Sequence, residues 1–153
     1  MPERVAQVVD DRRKATKRVE DVELELAGYV AREMLASASA DTVLQRHRVD
    51  DSANPLAFLT AVSTAFVNEA AAREPAPAYL LVLSSSPSMQ TGSSTTVVMV
   101  VGSDDKRVKE VGDALKVKLG VKGGGKGVRW SGKFTGVWKE AKEGAVVNEI
   151  LGI

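Results

Sequence analysis

The chain has 153 residues, 44% of them hydrophobic and 27% charged, with 21 Lys/Arg against 20 Asp/Glu and a formal net charge of +1. That is enough for one globular core and too apolar for disorder throughout. With no cysteine and a single histidine, His47, disulfides, thiolate metal sites, a zinc centre and a Ser-His-Asp triad are close to excluded. No metal or cofactor is expected.

From the N-terminus, apolar residues recur at Val5, Val8, Ala15, Val19, Val22, Leu26 and Tyr29, three and four apart except where Arg12 interrupts. This spacing predicts a long helix, ending near Ala36, with a coiled-coil-like seam, and these seven residues are its candidate association surface. An isolated helix is marginal in water, so the stripe needs a partner: its own domain, or a second helix from a twin chain or an upstream segment. Met1 to Asp11 lacks the cationic start and apolar stretch of a signal peptide, and no run of 18 apolar residues occurs anywhere. A soluble, cytoplasmic protein with no membrane partner is the expectation.

Thr42 to Val49 reads as a strand. Asn54 as N-cap and Pro55 at the first helical position then open an amphipathic helix carrying Leu56, Leu59, Val62, Phe66 and Val67. Tyr79 to Leu83 is apolar throughout and reads as a central strand. Ser84 through Ser94 is expected to form a polar loop. Thr95 to Val101 reads as a third strand, followed by a helix with Val108, Val111, Leu115 and Leu119 on one face and Gly120 as its stop. A glycine-rich loop follows, then Val128 to Phe134 as a short strand or irregular turn, and a closing helix from Val137 to Ile150. The predicted class is α+β, a small mixed β-sheet packed against helices on one face. Residues 1–37 form the association helix of this scheme and residues 41–153 the α+β domain.

The chemistry concentrates in the glycine segment. Between Lys116 and Lys142 there are eight Lys/Arg and one acid, Glu140, a local excess of about seven positive charges that suits a phosphate-bearing partner. Within it, Lys122, Gly123, Gly124, Gly125, Lys126, Arg129, Trp130 and Lys133 are the candidate RNA-binding residues. Adjacent glycines permit φ > 0 and close approach of the backbone to a ligand. They also suit a turn that must pass close to a neighbouring element. The pattern is neither a phosphate-binding Walker loop, because Gly127 follows Gly125-Lys126, nor a dinucleotide fingerprint, because a helix precedes it. Trp130 is open to stacking on a base or to packing beneath the glycines. Trp138 reads as core, and His47, between Arg46 and Arg48, as a surface or edge residue.

Leu119-Gly120, Lys122-Gly123-Gly124-Gly125-Lys126, a stretch ending in Gly132-Lys133 and a closing helix resemble the C-terminal, DHH-associated type of domain found in eukaryotic alanyl-tRNA synthetases and stand-alone alanyl-tRNA editing proteins. The charged helix from Arg4 to Leu35 is similar to the one that joins the zinc editing domain to that domain. Arg129-Trp130-Ser131-Gly132-Lys133 resembles the editing proteins more than the synthetases. The resemblance implies a module that binds tRNA, of the alanine type, by its outer corner and that mediates dimerisation or domain association. Gly123, Gly124, Gly125 and Lys126 match the glycine motif. The editing chemistry does not carry over, because its zinc is held by two histidines and a cysteine-histidine pair that this chain lacks. Lys126 stands where DHH phosphodiesterases have a histidine, so phosphodiester hydrolysis is not expected either. The expectation is a non-catalytic tRNA-binding module; the alternative is a protein-interaction or dimerisation module acting through the N-terminal helix, and a weaker third is a phosphate-binding enzyme domain.

Overall fold

The computed structural model describes residues 2–36, 41–51, 54–74 and 77–153, with their side chains except those of residues 2–10, Thr16, Val19, Asp41 and Lys126. Helix α1 spans Pro2–Ala36, strand β1 Asp41–Val49 and helix α2 Pro55–Ala71. Strands β2 (Ala78–Ser86) and β3 (Thr95–Gly102) precede helix α3 (Asp105–Leu119). Strands β4 (Lys122–Lys126) and β5 (Arg129–Thr135) form a hairpin, and one π-helical turn, Glu140–Gly144, leads into α4, Ala145–Leu151.

Local chemistry sets most of these boundaries. The Asn54 side chain accepts from the Ala57 amide at 3.3 Å and Pro55 opens α2, while Asp104 accepts from the Lys106 amide at 3.0 Å at the start of α3. Gly120, at φ 67°, ends α3 in the left-handed conformation that a side chain would penalise. No helix among the described residues is long and apolar enough to cross a membrane.

The five strands make one mixed sheet in the order β1-β2-β3-β5-β4. The β1–β2 pair is parallel, with α2 as its crossover, and the other three pairs are antiparallel. Along β2 and β3, neighbouring residues point to opposite faces and both sets are buried. Leu81, Leu83, Met99 and Val101 pack with α2 and the C-terminal part of α1. Leu80, Val82, Val98 and Val100 pack with α3, α4, Trp130 and Trp138. The expectation of helices on one face is therefore corrected: a strand apolar at every position has two faces to cover, and helices lie on both.

Two further expectations are corrected. Ser84, Ser85 and Ser86 belong to β2 and are buried, not part of a loop. The closing helix begins as a π turn at Glu140, and Trp138 is a buried residue just before it.

In α1, Ala27, Ala31, Met34 and Leu35 are buried against the domain. Val22, Leu26 and Tyr29 lie about half a turn away from Ala27, Ala31 and Met34 on the helix. They face outward, Val22 and Tyr29 at 62% and 57% exposure, and Ala15 is exposed as well. The side chains of Val5, Val8 and Val19 lie outside those described. The seam is thus not what fastens α1 to the domain; the opposite face does that.

Candidate nucleic-acid interface

The glycine triplet is a strand, not a loop. β4 pairs with β5 in the register Lys122↔Lys133, Gly123↔Gly132, Gly124↔Ser131, Gly125↔Trp130 and Lys126↔Arg129. The expected positive φ is absent from Gly123, Gly124 and Gly125 and falls on Gly127, at φ 69°, first of the two residues of the hairpin turn. Glycine is needed in β4 for another reason. A Cβ on Gly123 would run into the Ser131 carbonyl and the Gly132 Cα, and one on Gly125 into the Arg129 carbonyl and the Trp130 Cα. A Cβ on Gly124 meets nothing within 4 Å. β4 therefore lies unusually close over β5, and its middle residue opens to space.

The register sorts the candidate residues by face. Trp130 and Phe134 of β5 point toward α3 and belong to the core on that side. Trp130 is 5% exposed, with its ring against Gly112, where a Cβ would sit 2.8 Å from the indole. This corrects its reading as a stacking platform: a ring needed to fill the space under α3 has no free face for a base. Arg129, Ser131 and Lys133 point the other way, and the register sets Lys126, Gly124 and Lys122 opposite them.

That second face lies beside α2, which packs on Met99 and Val101 of β3. Arg129 is the bridge, its guanidinium donating to the Thr64 hydroxyl of α2 at 3.3 Å. Lys122, Gly124 and Lys133 are exposed. Two cation pairs, Lys122 with Lys133 and Lys126 with Arg129, thus stand directly across the strands, about 13 Å apart. Between them lie a glycine and a small hydroxyl. Like charges opposite one another destabilise a sheet, so this arrangement costs folding energy unless an anion offsets it. Glu69, the one acid of α2, faces Arg32 of α1 at 4.0 Å.

The α3 side of the hairpin differs. A groove of about 390 Å³ runs there between Gly124, Gly125 and Gly127 and a helix stripe of Asp105, Lys109, Asp113 and Lys116. Arg129 lines it too, so three cations stand there among two acids, a weaker positive excess than on the other face.

A polar cluster that the sequence reading did not foresee lies on β1, an edge strand of the sheet. His47 is half-buried, its Nδ1 2.7 Å from the Ser84 hydroxyl and its Nε2 2.7 Å from that of Ser86. Its ring stacks on Trp138 at 4.5 Å, nearly parallel, and the Trp138 indole donates to Glu140 at 3.0 Å. Burial pushes the imidazole below its ordinary pKa, partly opposed by the Glu140 charge. Ser84 and Ser86 being buried, these hydroxyls are ties between β1 and β2, not nucleophiles open to substrate. The pairing joins residues 37 and 39 apart in sequence, and no local pattern announces it.

No known protein family matches this chain, and no curated protein does either.

Proposed function

We propose that the chain is a non-catalytic tRNA-binding module that grips the phosphate backbone with the open face of the β4–β5 hairpin. The observation that carries this reading is the strand register that sets Lys122 opposite Lys133 and Lys126 opposite Arg129 on one sheet face. Phosphate contacts supply sequence-independent affinity, and a bare Gly124 between two pairs of cations leaves the backbone accessible at its centre. Candidate contacts are Lys122, Arg129 and Lys133, with Lys126 by register and Gly123 to Gly125 shaping the surface. The preference for tRNA, and for tRNA-Ala, comes from the resemblance to the C-terminal domains of alanyl-tRNA synthetases and editing proteins. A cytoplasmic site of action is part of the same proposal.

The test is a tRNA titration at two salt concentrations. Replacing Lys122, Arg129 or Lys133 by Ala should weaken binding and lower the slope of log affinity against log salt by somewhat less than one per contact, about 0.7–0.9. Lys133→Glu separates binding from folding: it should abolish tRNA binding while raising stability by about 0.2–1 kcal/mol, because Lys122 gains an opposite charge across the strand. Binding that survives the triple alanine variant would remove the hairpin from consideration.

The outward stripe of α1 favours a second reading, in which the chain acts by association through Ala15, Val22, Leu26 and Tyr29 with a second copy. The two readings are compatible, since stripe and hairpin are separate surfaces.

A further inference from the structure

A cavity of about 470 Å³ opens at the β1 end of the sheet, between the C-terminal part of α1, β1 and α2. Val30, Met34, Phe58, Leu59, Val62 and Leu83 make most of its wall apolar. Its charged lining residues are Arg46, Arg48 and Glu33.

Arg48 is the unusual member. Its guanidinium lies 3.9 Å over the Phe58 ring, and its buried Nε has no hydrogen-bond partner. Ser85, its register partner on β2, is 1% exposed and its hydroxyl also has none. Arg46 donates to the Gln45 carbonyl at 3.0 Å. Among the described residues neither arginine pairs with a carboxylate, although Glu33 lines the same cavity. Arg48 is partly exposed, but its Nε is a buried donor without an acceptor, which is costly. The aromatic ring holds the guanidinium in place against the cavity wall.

We propose that this cavity binds a small amphiphilic monocarboxylate, with its apolar body between α1 and α2 and its carboxylate on the Arg48 guanidinium. The volume falls in the range of small-molecule sites. The planar fork of an arginine matches a carboxylate, and two cations against Glu33 leave one net positive charge, which suits a monoanion over a doubly charged phosphate. This inference is independent of RNA binding at the hairpin.

The test titrates the full chain with decanoate, below its micelle concentration, followed by calorimetry and thermal unfolding, with decanol and acetate as controls. Decanoate should bind at least about tenfold more tightly than decanol, and acetate should produce no shift in melting temperature. Arg48→Met keeps an apolar stem over Phe58 and should bring decanoate down to the level of decanol. Val30→Phe, which fills the cavity without touching the arginine, should remove both, and it carries the test if Arg48→Met fails to fold. Equal binding of decanoate and decanol, no binding of decanoate, or decanoate binding unchanged in the folded variants would overturn the proposal.

Discussion

His47 shows how one side chain acquires a role from its setting. Its ring is held between two serine hydroxyls and the Trp138 indole, and burial lowers its pKa below the ordinary imidazole value of 6.5, partly opposed by the Glu140 charge. The unfolded chain therefore takes up a proton at higher pH than the folded one. His47 contributes stability that is fully present above about pH 6.5 and is lost as pH falls through the folded value. Melting temperature measured from pH 7.5 down to 5.5 should fall, and His47→Gln, which keeps a hydrogen-bonding group but no titration, should flatten the curve over that window. A wild-type curve as flat as the variant's would contradict this reading. Nothing in the sequence around Arg46-His47-Arg48 signals it, because the partners that set the ring come from β2 and from the segment before the π turn.

At the scale of elements, what could be read in the sequence was what is local. The Asn54-Pro55 start, the Gly120 stop and the apolar spacing of α2 and α3 each rest on contacts within a few residues, and each element forms where its residues say. β4 was illegible because glycine has poor strand propensity; its strand character comes from the close approach of β5. Ser84 to Ser86 were illegible for the same reason, their polarity being met by a distant imidazole. The candidate site was half legible: Lys122 and Lys133 are exposed opposite one another, but Arg129 is only partly exposed and Trp130 is part of the core. The hairpin's geometry makes an asymmetric prediction. Gly123→Ala and Gly125→Ala each force a methyl into the β5 backbone and should cost about 1–3 kcal/mol in thermal or denaturant unfolding. Gly124→Ala points into open space and should stay within about 0.5 kcal/mol of the parent.

For the whole molecule, α1 is the element with unfinished business. It has two apolar faces, one consumed by the domain and one presented outward. Its sequence is also polarised, with Arg12, Arg13, Lys14, Lys17 and Arg18 followed by Glu20, Asp21, Glu23 and Glu25. Two copies aligned in parallel would oppose like blocks and set Arg12 against Arg12 in the seam. Antiparallel copies would oppose unlike blocks, so the helices should pair antiparallel. Sedimentation at high concentration should show a dimer that weakens with salt, and Val22→Glu with Leu26→Glu should give monomers of unchanged melting temperature. A parent that stays monomeric at every concentration would refute it.

The glycine strand also bears on how such molecules behave in a crowd. β4 is an outer edge of the sheet, and over three residues it presents main-chain donors and acceptors with no side chain to shield them, an invitation to intermolecular strand pairing and aggregation. Lysines stand at both ends of that bare rim. Their mutual repulsion keeps one rim from zipping onto another, so the charges proposed to hold RNA also act as gatekeepers of solubility, and a variant stripped of them would trade lost binding for a sheet edge open to its neighbours.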